Sequence, residues 1–222
     1  MLSIGLGMGW RCLDVGGGSG SVAIWLAERV APDGKVVVTD IDTRFLEPIR
    51  RPGLDVWRHD VVVDSLPEAE FDLVHTRSVL MHLPERETVM RRLVTALRPG
   101  GWLVVEESDF YPVEASADDP YRSGWLAANR GLEAAGMAPR WARELPSVLD
   151  HLGLVDIGAE ADVAMFQGGS DMAQLMQLGL LQAGDLLPED QRGVIHVAVA
   201  ALENPKRWFP GTAVVAARGR RP

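Results

Sequence analysis

The chain has 222 residues, 47% hydrophobic and 24% charged, which suits a single domain with a proper core and excludes a disordered chain. The formal net charge of −9 opposes a nucleic-acid partner, because phosphates are bound largely through cations; the basic tail Arg218, Arg220 and Arg221 reads as a solvated chain end. A lone cysteine, Cys12, and no apolar run near the roughly 20 residues that span a bilayer lead to the expectation of a cytoplasmic protein without a membrane anchor.

Residues 10–15 form a short apolar run that enters Gly16-Gly17-Gly18-Ser19-Gly20, the pattern of a buried strand followed by a tight turn. Val22, Leu26 and Val30 then recur at helical spacing and predict a helix with one apolar face. Pro32-Asp33-Gly34 breaks it, and Lys35 to Thr39 predicts a second buried strand that ends at Asp40. Strands follow near 55–58 and 71–75, then a helix over 84–97. Arg98-Pro99-Gly100-Gly101 stops that helix before a strand over 102–106. Such alternation implies a parallel sheet with helices on both faces.

Pro112, Pro120 and Pro139 punctuate residues 109–146, which read as an inserted helical cap with a helix around Trp125, Leu132 and Ala135. A helix over 145–152, a strand over 155–166, helices over 171–183 and 189–202 and a strand over 212–217 complete the chain. The expected organisation is one domain over 1–222: a ligand-binding core at about 10–108, the cap at about 109–146, and a completing segment at about 147–222.

A glycine-rich turn between strand and helix lets a ligand approach the backbone, and open α/β sheets bind their ligands at the carboxyl ends of the strands. Asp40 stands 20 positions after Gly20, at the distance where a carboxylate accepts hydrogen bonds from ribose hydroxyls. A dinucleotide fingerprint laid on Gly16 and Gly18 would need Gly or Ala where Ser21 stands, but one started at Gly18 and Gly20 finds Ala23. A nicotinamide-dependent oxidoreductase therefore stays open on the turn alone.

Leu13-Asp14-Val15-Gly16-Gly17-Gly18-Ser19-Gly20 resembles the first motif of class I S-adenosylmethionine-dependent methyltransferases. Val38-Thr39-Asp40-Ile41-Asp42, His59-Asp60, Phe71-Asp72-Leu73-Val74-His75 and Leu97-Arg98-Pro99-Gly100-Gly101-Trp102 follow in that family's order. The resemblance covers about residues 10–108. It implies a Rossmann-like, doubly wound α/β fold whose mostly parallel seven-stranded sheet ends in an antiparallel strand. It further implies a methyltransferase that binds S-adenosyl-L-methionine, with a non-catalytic binding protein as another reading. Asp14 and the glycines Gly16, Gly17, Gly18 and Gly20 would meet the methionine and ribose parts. Asp40 would meet the ribose, Ile41 and the backbone of Val61 the adenine ring, Asp60 its amino group, and His75 the methionyl end. A carboxylate that merely braces the turn is an equal reading for Asp14.

Methyl transfer from a sulfonium is an in-line displacement, so positioning dominates and a base is needed only for some acceptors. His82, and after it His75, is a candidate base, since a neutral imidazole takes a proton near pH 7. Glu106, Glu107 and Asp109 either line the acceptor pocket or form a solvated acidic loop. The segment His75-Thr76-Arg77-Ser78 differs from the Asn/Asp-Pro-Pro-aromatic run of enzymes that methylate DNA bases or glutamine amides, which favours a small-molecule acceptor. Tyr111, Tyr121, Trp125 and Trp141 would give the cap an aromatic surface for an apolar or aromatic metabolite. No metal site is expected, because His59, Asp60 and Asp64 are neighbours mainly in sequence. Few residues precede the first strand, so a second subunit, as in a homodimer, or the cap would close the site.

Overall fold

The computed structural model describes residues 4–222. Seven strands form one sheet in the order β3-β2-β1-β4-β5-β7-β6. These are β1 (Arg11–Val15), β2 (Lys35–Asp40), β3 (Leu54–Arg58), β4 (Phe71–Arg77), β5 (Leu97–Asp109), β6 (Val155–Gln167) and β7 (Trp208–Arg220). β1 to β5 pair in parallel, and β7 is antiparallel to both β5 and β6. The sheet is therefore the doubly wound, mostly parallel kind expected, with the order reversing between β1 and β4.

Burial on both faces explains the apolar runs of β1, β2 and β4. One face carries α1 (Ser21–Val30), whose Ala23, Leu26 and Val30 pack with Cys12, Val36, Val38 and Leu73. The other carries α2 (Arg86–Ala96) and α5 (Leu145–His151), whose Val89, Leu93, Leu145 and Leu149 pack with Leu13, Val74, Leu103 and Val105.

A second core lies beyond the sheet. Between β5 and α5 run α3 (Tyr111–Glu114) and α4 (Asp119–Ala134), and α6 (Asp171–Gly184) and α7 (Gly193–Ala201) join β6 to β7. Tyr121, Trp125 and Leu132 of α4 pack with Met176, Leu180, Ile195 and Ala198 and with Phe166 and Phe209 at the strand ends. The Tyr121 hydroxyl donates to the Pro210 carbonyl at 2.8 Å. The expected aromatic surface of the cap is thus corrected. Tyr121, Trp125 and Trp141 are buried, and of the four aromatics only Tyr111 is substantially exposed.

The basic tail also differs from its reading as a solvated end. Arg218 and Arg220 belong to β7, where they face Glu160 and Asp156. Arg221 extends the ladder: its N–H donates to the Gly101 carbonyl at 2.8 Å and its carbonyl accepts from Gly100 at 2.9 Å. β5 itself starts at Leu97, which pairs with Phe71 of β4, five residues before the expected strand. No helix among the described residues is long and apolar enough to cross a membrane.

Candidate functional site

The glycine turn is lashed to the end of β2. The Thr39 carbonyl accepts from Gly16 at 2.8 Å and from Gly17 at 3.0 Å, and Asp40 Oδ2 accepts from the Gly18 N–H at 2.9 Å. Gly16 and Gly18 hold φ of +70° and +53°, the left-handed region that other residues enter at a cost. A Cβ on Gly17 would come within 2.2 Å of Val38 Cγ2, whereas one on Gly18 would point into open space.

That space is a cavity of about 390 Å³ lined by Val15, Gly16, Gly18, Thr39, Asp40, Ile41, His59, Asp60, Val61, Ser78, Val79, His82 and Leu83. A larger recess of about 470 Å³ lies outside β3 among Arg50, Arg51 and Arg58. Its rim is a charged sheet edge, whereas the cavity over the turn is predominantly apolar, sits at the switch point of the strand order and joins few polar groups, as ligand sites do.

Around the cavity, Asp40 Oδ1 accepts from the Asp42 N–H at 3.0 Å, so each carboxylate oxygen retains a lone-pair direction for a ligand. Ile41 is 62% exposed beside it, an apolar side chain left bare where a flat ring would cover it. Asp60 Oδ1 accepts from the Val62 N–H at 2.9 Å, and the Asp60 N–H donates to Asp64 at 2.9 Å, which shapes the loop that presents Val61. His82 stands at the opposite wall, where partial burial lowers its pKa and favours the neutral ring.

Of the expected site residues, Gly16, Gly18, Asp40, Ile41, Asp60, Val61 and His82 meet at this cavity; Asp14, Gly17, Gly20 and His75 lie behind it. Gly20 starts α1, packed against Leu46 and Ile49. Asp14 and His75 form a buried pair across β1 and β4: His75 Nδ1 lies 2.7 Å from Asp14 Oδ1, and Nε2 lies 3.8 Å from Glu106. Because a carboxylate only accepts, Nδ1 carries a proton. Burial works against charge on His75, but the hydrogen bond to Asp14 and the nearby negative charge of Glu106 outweigh it and raise the pKa. The His75 ring is wholly buried, so it does not reach the cavity as a ligand at the methionyl end would.

The acidic stretch Glu106 to Asp109 is not a solvated loop, for it lies within β5 and Glu107 and Asp109 are buried. Asp109 grips Arg143 through both oxygens, at 2.5 and 2.8 Å. Glu107 Oε1 accepts from the N–H groups of Val79 and Leu80. Sequence reasoning missed Val15, Thr39, His59, Ser78, Val79 and Leu83 as wall residues. Of these, His59 could have been found as the neighbour of Asp60, whereas Ser78, at φ +56°, carries no sequence signal for that conformation.

Comparison with known proteins bears on the fold that carries this site. The family described as a methyltransferase domain matches residues 13–103. The methyltransferase str2 of Strobilurus tenacellus is 30% identical over 151 residues, 66% of this chain and 54% of that protein. The trans-aconitate 2-methyltransferase of Rhodococcus jostii is 31% identical over 138 residues, 62% of this chain and 48% of that protein. The chain thus spans about half the length of these curated relatives. Among solved structures, the phosphoethanolamine N-methyltransferase 2 of Haemonchus contortus, in complex with phosphomonomethylethanolamine and S-adenosylhomocysteine, shares the fold. Its TM-score is 0.61 at 15% identity, covering 97% of this chain and 50% of that one. With its sheet order, its lashed glycine turn and these relatives together, the chain is similar to the class I S-adenosylmethionine-dependent methyltransferases, and residues 13–103 match the methyltransferase domain itself.

Proposed function

We propose that the chain binds S-adenosyl-L-methionine in the cavity over the glycine turn and transfers its methyl group to a small-molecule acceptor. The observation that carries this reading is the pairing of Asp40, with lone pairs still free on both oxygens, and the bare Ile41 at one end of a mainly apolar cavity. Asp40 suits ribose hydroxyls, Ile41 and Val61 suit the two sides of an adenine ring, and Asp60 suits its amino group. The open side of Gly18 lets the chain of the ligand lie against the backbone. Asp14, Gly17, Gly20 and His75 belong to the same site in this reading, acting from behind the turn that they brace.

The bound cofactor supplies an electrophilic methyl group on sulfur. The protein's own part is to hold that group in line with the acceptor and to keep water out. His82 faces the cavity as a neutral imidazole and is the group placed to take the proton that an acceptor O–H or N–H releases. A relative named for trans-aconitate supports a small acceptor. We place the enzyme in the cytoplasm, with Cys12 as a buried free thiol. A homodimer is part of the proposal, supported by the bare Met172, Leu175, Leu178 and Leu181 on α6.

Calorimetric titration with S-adenosylhomocysteine and, separately, NADH tests the cofactor. Binding of the first and not the second is expected, and the reverse would establish the oxidoreductase alternative. Incubation of metabolite extracts with labelled donor tests the acceptor, and label confined to nucleic acid or protein would refute a small molecule. Sedimentation equilibrium tests the homodimer, which a single monomeric species at micromolar concentration would exclude.

A further inference from the structure

Glu107 is a buried acid with no place in the function proposed above. Only 1% of it is exposed, burial raises its pKa, and its Oε2 has no partner among the described residues. A carboxyl group is kept in such surroundings only where its removal would leave something else unsatisfied. What it satisfies is the segment that follows β4. Oε1 accepts from the Val79 N–H at 3.0 Å and from the Leu80 N–H at 2.7 Å.

That segment forms one wall of the cavity, through Ser78, Val79, His82 and Leu83. Its backbone is not one the chain adopts unaided. Ser78 sits at φ +56°, Val79 at φ −120° and ψ −53°, and only a three-residue 3-10 turn, Leu80–His82, follows. The side chain of Val79 lies directly over Gly16, so close that a Cβ there would fall 2.2 Å from Val79 Cγ2. The height of Val79 therefore sets how much room the cavity has beside the glycine turn. From the other side the turn is held by the loop after α4: the Met81 carbonyl accepts from Ala138 at 2.8 Å, and Arg86 donates to the Gly136 carbonyl at 2.9 Å. Among the described residues, the only side chain of the sheet that hydrogen-bonds the backbone of Val79 and Leu80 is that of Glu107.

We infer that Glu107 is a positioning residue for cofactor binding: one oxygen of its buried carboxyl group fixes the Ser78–Leu83 wall at the distance from Gly16 that admits the ligand. The inference rests on the cofactor reading above. It does not need the negative charge, because a glutamine would keep the accepting oxygen and place its amide nitrogen where Oε2 is unpartnered.

The test uses three variants of the full chain, with S-adenosylhomocysteine affinity by calorimetry and stability by urea unfolding. Glu107→Gln is expected to bind within about threefold of the wild type. Glu107→Met fills the same space without an acceptor, and is expected to unfold at a similar urea concentration yet bind at least about tenfold more weakly. Val79→Ala removes the side chain being positioned, and is expected to shift affinity by about threefold or more with little change in unfolding, which keeps the test decisive should Glu107→Met not fold. A Glu107→Met variant that binds like the wild type, a Glu107→Gln variant as weak as Glu107→Met, or an unchanged Val79→Ala variant would each overturn the inference. If the wild type itself fails to bind, the cofactor reading has failed instead.

Discussion

Replacing Asp40 separates the proposed site from a mere stabilising contact, because the carboxylate has two duties. It holds the Gly18 N–H at 2.9 Å and the Asp42 N–H at 3.0 Å, and it offers its remaining lone pairs to ribose hydroxyls. Hydrogen bonds to a charged group contribute about 1.5 to 3 kcal/mol, and a donor left buried and unpaired costs about as much again, with partial relief from water at this half-buried position. Asp40→Ala should therefore weaken S-adenosylhomocysteine binding by about 2 to 4 kcal/mol, roughly 30- to 700-fold in Kd. Asp40→Asn is no gentle substitute. Its amide nitrogen must face either the Gly18 or the Asp42 N–H, donor against donor, so it should lose at least about tenfold. Titration calorimetry on variants shown to be folded by circular dichroism reads both numbers. A folded Asp40→Ala protein with unchanged affinity would remove Asp40 from the site and with it the alignment of the cavity to an adenosine ligand.

Four other outcomes follow from the geometry. The raised pKa of His75 means that the folded state holds its proton more tightly than the unfolded chain, whose value is 6.5. The stabilisation is complete below pH 6.5 and is lost as pH rises through the folded value; urea midpoints across pH 6 to 10 should show this, and His75→Gln should flatten that dependence. Gly16→Ala places a side chain at φ +70° against Val79, and should lower stability by about 1 to 2 kcal/mol and impair cofactor binding, read by thermal unfolding and calorimetry. His82→Ala should keep cofactor affinity and slow turnover by about 10²-fold where the acceptor must lose a proton. In the wild type the rate should fall as pH drops through the lowered His82 pKa, below the ordinary histidine range, and that acid limb should vanish in the variant.

The succession of strands and helices along the chain and the position of the glycine turn were legible because they are written locally. Val36, Val37 and Val38 make a continuous apolar run that only a strand covered on both faces can bury, and Gly16, Gly18 and Gly20 occupy left-handed backbone. Asp40 was legible for the same reason, as the acid that ends such a run. What was not legible depends on partners far away in sequence. Whether Glu107 is solvated or buried is decided by the N–H groups of Val79 and Leu80, some 28 positions earlier, and Asp109 by Arg143, 34 positions later. Tyr121 and Trp125 have the spacing of any amphipathic helix; only the approach of α6 and α7 turns their rings into a core and removes them from the surface. His75 stands out as a histidine at the end of an apolar run, but its partner Asp14 lies 61 positions away, and that pairing turns the ring inward.

The place of β7 between β5 and β6 governs how the protein can be made. Of the seven strands of this sheet, β7 leaves the ribosome after the two that it joins, so β6 has no strand to pair with until Trp208 to Arg220 has emerged. Until then 13 residues of β6, including Val155, Val163 and Met165, stand as an unpaired apolar ribbon beside a half-finished sheet. Its Asp156, Glu160 and Asp162 are the charges available to discourage chance pairing in that interval, and Arg218 and Arg220 answer two of them once β7 arrives. β7 is thus inserted into the middle of the sheet only after β6 has been made, and a ribosome that stalls before Trp208 releases a chain whose β6 ribbon stays open to other nascent chains.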